Sequence, residues 1–245
     1  MGENTFIHSM NTLAIDTCEP RGSATVRVNR QCRVVKVHTE GEYSSWLLPA
    51  VECLLALAEK TFGDLDLLAV ATGPGSFTGV RVGLCTVKAW AEVYGTNVVG
   101  VSRLEALARC VPEDGWVAAS YNAQRGQIFG GLYRKTSGQL EPADVEMVVT
   151  PDDFLALVRQ QTGGARVHWV SLDPNLFCNL PSGENLEAEG YKVWPCQAAL
   201  ANTIGEIAEE KAARGQFTDV LALDANYVRR SDAEIFWKGP AYRVG

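Results

Sequence analysis

The run Gly73-Pro-Gly-Ser-Phe-Thr-Gly79, continued by Val80-Arg-Val-Gly83, comes nearest in residue type and spacing to a phosphate-handling segment. Glycines at 73 and 75 allow positive φ and a close backbone approach. A loop that leaves a strand and enters a helix offers free backbone N–H groups to an anion. The familiar spacings do not fit. A Walker A loop ends in Gly-Lys-Ser/Thr, whereas Val80 follows Gly79, and three residues rather than two separate Gly75 from Gly79. Pro74 stands where a G-x-S-x-G elbow around Ser76 needs glycine. The loop is either an anion cradle of unusual spacing or a tight strand-to-helix turn whose glycines serve packing.

Other chemistry-bearing residues are dispersed. The three histidines, His8, His38 and His168, lie too far apart to set two rings one helical turn apart on one ion. They are read as structural residues. Seven cysteines stand at 18, 32, 53, 85, 110, 178 and 196 without a CxxC pair, which removes zinc-ribbon and thioredoxin readings. They are expected to be reduced thiols of a cytoplasmic protein, with Cys53 and Cys85 acting as small hydrophobes in apolar segments. No nucleophile–histidine pair emerges. The expectation is therefore no catalytic residue and no metal site.

The elements that position these residues are legible in the first half. Asn11 to Cys18, Ser23 to Val28 and Arg33 to Thr39 form three strands of an antiparallel meander. A helix from about Ser45 to Thr61, a strand Leu67 to Ala71, the glycine loop and a helix to about Val93 follow. Then come a strand Asn97 to Val101 and a helix Arg103 to Cys110 capped by Ser102. Apolar strands that return after helices run parallel, so the sheet is mixed and the class α/β. The second half opens on strands Trp116 to Tyr121 and Gln127 to Tyr133, joined through Asn122-Ala-Gln-Arg-Gly126. A helix after Pro151, a strand Arg166 to Ser171 and a helix Ala198 to Arg214 come later, with a Pro/Asn/Ser-rich loop at 173–183.

The chain has 245 residues with 47% hydrophobic and 21% charged, which excludes disorder and allows one large domain or two intimate lobes. The charge-free stretches, such as Leu67 to Val80, are too short and too rich in Gly and Pro to span a membrane. Met1 to Met10 lacks the basic and apolar regions of a secretory signal. Net charge is −7, a poor basis for autonomous nucleic-acid binding. Two early helices carry an excess of apolar residues. Trp46, Leu47, Ala50, Cys53 and Leu57 on the first, with the small-residue edge Gly79, Gly83 and Thr86 on the second, make up a candidate partner interface. An exposed patch of this kind favours a homodimer when a partner is absent.

Leu13-Ala-Ile-Asp-Thr17, Trp46-Leu-Leu-Pro49, the 73–83 run and Gly100-Val-Ser102 together resemble the TsaB family, also called YeaZ. The resemblance is dense over 10–108 and thinner at 122–127 and 227–230. It departs at Tyr43, where the family often has His, and at Asn122, where it often has Asp. It implies a two-lobed actin/Hsp70-like (ASKHA) fold with mixed sheets flanked by helices. The lobes are expected at 10–110 and 111–220, with a tail at 221–245. The implied role is a non-catalytic scaffold that helps form threonylcarbamoyladenosine on tRNA by activating a TsaD-like subunit, whose His-x-x-x-His metal motif this chain lacks. A TsaE-like ATPase would join the same cytoplasmic complex, and tRNA would be met only through that complex. In actin-like ATPases an acidic residue ending the first strand helps hold magnesium, so Asp16, Thr17, Gly73, Gly75 and Ser76 form a candidate ATP or ADP site. The favoured alternative is that Asp16 or Thr17 closes a β-turn through its side chain. The competing reading is a free-standing ATPase or phosphotransferase of the same fold.

Overall fold

The computed structural model describes residues 10–173, 175, 186, 191–226 and 228. The extension before Met10, most of the 173–183 loop and all but Val228 of the 227–230 match lie outside them. The first sheet is built from β1 (Thr12–Asp16), β2 (Ser23–Val28), β3 (Gln31–Val37), β4 (Leu67–Ala71) and β5 (Asn97–Val101), in the order β3-β2-β1-β4-β5. The first three strands pair antiparallel, and β4 and β5 join in parallel. The expected mixed sheet is present. β1 and β4 are buried throughout, because helices cover both faces of the sheet centre.

On one face lie α1 (Tyr43–Leu57) and α2 (Phe77–Tyr94). α1 stops four residues earlier than the sequence suggests, since Ala58 caps it and Glu59 takes φ 53°. Thr61 caps a separate 3-10 turn. α2 is capped by Ser76, whose hydroxyl accepts from Gly79 N, and ends on Gly95 at φ 66°. α3 (Arg103–Arg109) follows β5, capped by Ser102 as expected, its hydroxyl accepting from the Leu104 and Glu105 amides.

The second sheet contains β6 (Gly115–Gln124), β7 (Gln127–Thr136), β8 (Gln139–Pro142), β10 (Val167–Ser171) and β11 (Lys192–Pro195), in the order β11-β10-β6-β7-β8, with β9 (Met147–Val149) against β7. α4 (Pro151–Thr162) covers its outer face, where the absence of a side chain at Gly130 admits the Phe154 ring.

One expected boundary does not match the packing. α5 (Ala201–Ala213), assigned by sequence to the second lobe, lies on the first sheet against β1, β2, β4 and β5. The physical reason is an ionic clamp. Buried Arg27 on β2 donates to both carboxylate oxygens of Glu209, at 2.9 and 3.2 Å, and also bonds Asn202 and Glu206 of α5. Burying a guanidinium without acceptors is costly, and α5 supplies most of those that Arg27 uses. α5 and α3 thus sit together between the two sheets.

Candidate functional site

Asp16 ends β1 where the sequence places it, but its carboxylate is already occupied. Arg103, on the first turn of α3, donates Nε–H to Asp16 Oδ2 at 2.9 Å, and both side chains are 0% exposed. Asp16 Oδ1 accepts from the Cys18 amide at 3.0 Å, the Asx-type turn that sequence allowed. The guanidinium lies over the Tyr121 ring, 4.8 Å from its centroid, and its two terminal nitrogens have no hydrogen-bond partner among the described residues. Burial opposes the charge of Arg103, yet Asp16, Tyr121, Cys18 and Glu19 together more than offset it and the pKa is raised. Tyr121 donates to Pro74 O at 2.7 Å, and burial raises its phenol well above the usual range. Asp16, Arg103 and Tyr121 fill the space between the ends of β1 and β6.

The glycine loop closes on the same point. Gly73 takes φ 107°, and a Cβ on Gly75 would fall 2.4 Å from Cys18 O. Ser76 N donates to Cys18 O at 2.6 Å, so this amide serves the chain itself rather than an anion. Arg103 N donates to Gly73 O at 2.7 Å, and Thr17 Oγ1 donates to Gly79 O at 2.7 Å. Thus Thr17, Gly73, Gly75 and Ser76 do come together with Asp16, but as a packed joint between β1, α2 and α3. At the other end of the crevice Glu146 accepts from Ser102, from Tyr133 Oη at 2.6 Å and from Asn226, whose own amide donates to Thr72 O at 2.8 Å. No sequence signal pointed to Arg103, Tyr121 or Glu146, because their partners Asp16, Pro74 and Ser102 lie more than forty positions away.

Beside Glu146 a cavity of about 780 Å³ opens between α3, α5 and the 139–146 segment. Much of its charge is paired internally, Arg109 with Glu210 and Lys211 with Glu105 at 2.8 Å. His38 and His168 behave as structural residues. His38 Nδ1 lies 2.7 Å from Pro20 O and its ring stacks on Tyr43, while His168 Nδ1 accepts from Trp194 Nε1 at 3.2 Å. No group of three or more His, Cys, Asp or Glu residues among those described could hold a metal ion.

The candidate interface residues separate into two groups. Leu47 and Ala50 face the core, so they are not available to a partner. The Gly79–Gly83 edge also turns inward, and what approaches it closely is not a foreign helix but the end of β1. A Cβ at Gly79 would lie 2.1 Å from Thr17 O, and one at Gly83 2.5 Å from Thr17 Oγ1. Trp46 is half-buried against His38 and Tyr43, and Cys53 and Thr86 are half-buried. Leu57 is 60% exposed. The sequence missed Leu48, Phe77, Cys85 and Val93, which are exposed on α1 and α2, Val93 at 72%. The most apolar stripe of each helix is spent on its own sheet. What remains outward is the second-ranked stripe, which a count of apolar residues does not single out.

A family model described as TsaD: tRNA N6-adenosine threonylcarbamoyltransferase matches residues 34–211. The chain is 29% identical to the tRNA threonylcarbamoyladenosine biosynthesis protein TsaB of Bacillus subtilis, over 93% of this chain and 98% of that protein. It is 28% identical to the Escherichia coli protein of the same name, over 76% of this chain and 74% of that one. In structure it resembles a Pseudomonas aeruginosa protein described as similar to the peptidase YeaZ, with TM-score 0.75 and 23% identity, over 90% of this chain and 100% of the other. The fold is the actin/Hsp70-like one that the resemblance implied.

Proposed function

Because the chain belongs to the family of TsaD, the tRNA N6-adenosine threonylcarbamoyltransferase, we propose that it works in forming threonylcarbamoyladenosine on tRNA as a non-catalytic, TsaB-like subunit. One observation carries the reading. The crevice that could serve chemistry is closed by the Asp16–Arg103 pair, while the outer faces of α1 and α2 leave Leu48, Leu57, Phe77 and Val93 in water. Covering such residues contributes roughly 25 cal/mol per Å² of apolar area. A TsaD-like chain is the proposed occupant, a second copy of this chain takes its place when it is absent, and a TsaE-like ATPase joins the same cytoplasmic assembly. The names of the relatives support the pathway, and the scattered histidines support a role without metal catalysis by this chain. With −7 net charge, tRNA is met through the assembly rather than by this chain alone. No nucleotide is required at Asp16. The described helices include none long and apolar enough to cross a membrane.

The test is the double variant Leu57→Glu/Val93→Glu, co-expressed with the TsaD-like protein of the same host. Both positions are exposed, so melting should move by no more than about 2 °C, as for surface substitutions within ±0.5 kcal/mol. Co-purification should fall at least about tenfold, which ~1.4 kcal/mol per buried charge readily supplies, and modified adenosine in the host tRNA should fall with it. Wild-type co-purification by the folded variant would place the interface elsewhere. The same variant should sediment as a monomer when expressed alone.

A further inference from the structure

The cavity between α3, α5 and the 139–146 segment is balanced on one wall and not on the other. Its helical wall is neutralised by the Arg109–Glu210 and Lys211–Glu105 pairs. The carboxylates of the 139–146 segment meet no cation among the described residues. Glu141 is exposed, and Asp144 accepts from the Val145 amide at 2.7 Å and from Gln161 at 3.4 Å. Apolar groups border the same space, namely Leu140, Pro142, Ile207 and Val145, the last 76% exposed. At about 780 Å³ the space is as large as a ligand pocket.

The chain itself leads to this space. After α5 it follows the edge of the first sheet, where Thr218 N donates to Val98 O at 2.8 Å and Leu223 is buried. Asn226 then gives its backbone amide to Thr72 O at 2.8 Å and its side-chain amide to Glu146, which lines the cavity. Arg229 and Arg230 come three and four residues later. Four residues of extended backbone reach at most ~14 Å, so both arginines stay near the cavity wall. The sequence of 229–245 carries Arg229, Arg230, Lys238 and Arg243 against Asp232 and Glu234, with Ile235, Phe236 and Trp237 in succession. It is a basic, aromatic segment in a chain of net charge −7.

We propose that the segment 229–245 docks in this cavity, with Arg229 and Arg230 against Glu141 and Asp144 and the apolar run 235–237 over Leu140 and Val145. This inference is independent of the function proposed above. Arginine suits the two carboxylates because its planar fork donates to both oxygens of such a group. Attachment at Asn226 raises the effective concentration of the segment to the millimolar range, so individually weak contacts suffice. Covering Val145 and its apolar neighbours removes them from water. The docked segment ties 139–146 to α3 and α5 and closes the side of the crevice that Glu146 borders.

The test begins with hydrogen exchange of the full chain, read by mass spectrometry over peptides that contain 139–146. Arg229→Glu/Arg230→Glu should speed exchange there at least several-fold, because loss of docking frees the segment. Adding Glu141→Arg/Asp144→Arg to that variant should restore the slow exchange, an outcome that a general loss of stability does not give. A synthetic peptide of residues 229–245 should bind a chain ending at Val228 and bind the full chain at least about tenfold more weakly, since the tethered copy competes. Its affinity should weaken as sodium chloride is raised. If the shortened chain does not fold, the two full-length variants decide. Unchanged exchange in Arg229→Glu/Arg230→Glu, or no recovery in the charge-swapped chain, would overturn the proposal. So would slow exchange at 139–146 that is lost when the wild-type chain is diluted, which assigns the cavity to a second copy. Slow exchange lost on exhaustive dialysis would overturn it as well, since a small ligand would then be the occupant.

Discussion

Gly79→Ala should lower the melting temperature by roughly 6–12 °C, far beyond the effect of an exposed glycine. The added methyl would lie 2.1 Å from the carbonyl oxygen of Thr17, a backbone atom that no rotamer change can move aside. Relief requires α2 to shift away from β1, which also stretches the bond from Thr17 Oγ1 to Gly79 O and the Ser76 cap. Overpacking costs about 1–3 kcal/mol and occasionally more; a clash with fixed backbone takes the upper end, about 3 kcal/mol, and each kcal/mol lowers melting by about 2–4 °C in a domain of this size. The comparison is Gly95→Ala, where nothing lies within 4 Å and only the left-handed backbone, φ 66°, opposes the change, at about 1 kcal/mol. Gly83→Arg is harsher. Position 83, on the edge read from the sequence as a candidate partner interface, is buried beneath Thr17 and Val70. The variant should fail to yield soluble, cooperatively melting protein. If Gly79→Ala melts with the wild type and Gly83→Arg folds, α2 does not pack on β1 as described.

The first sheet was legible because its strands are short, apolar and separated by turn residues, and because Ser102 marks a helix start by known cap chemistry. β8, β9 and β11 were not. Gln139–Pro142 carries Glu141 and Pro142 on a sheet edge, and Lys192–Pro195 is half-exposed, so neither shows the alternation of a half-buried strand. The return of α5 to the first sheet was hidden because the pair that holds it, Arg27 and Glu209, is separated by 182 residues. For the candidate site, Asp16 and the glycines were found from residue type alone. Their partner Arg103 was not, since a helix-opening arginine is ordinarily a solvated residue. That single unseen residue changes the meaning of the others, from a ligand cradle to a packed joint.

Arg103→Met tests that joint directly. It leaves the Asp16 carboxylate without its partner at a place with no water access, and breaking a buried pair in this way costs about 3–5 kcal/mol. Melting should fall by roughly 6–20 °C. Asp16→Ala should be similarly damaging, because it strands the guanidinium over Tyr121 and removes the acceptor of the Cys18 amide. Any loss of activity in that variant would report folding before it reported a nucleotide. The double variant Asp16→Asn/Arg103→Met separates the two effects. Asparagine keeps an oxygen for the Cys18 amide, methionine fills much of the arginine volume, and neither carries charge. Replacing both members of a buried pair by neutral groups is frequently harmless, so the double variant should recover most of the stability lost by Arg103→Met alone. A double-mutant cycle by thermal and urea denaturation should give a coupling of at least about 1 kcal/mol. Additive losses would mean that the two groups do not interact. Recovery of folding together with wild-type co-purification of the TsaD-like partner would show that Asp16 acts by holding β1, α2 and α3 together and that the chain needs no carboxylate there to do its work.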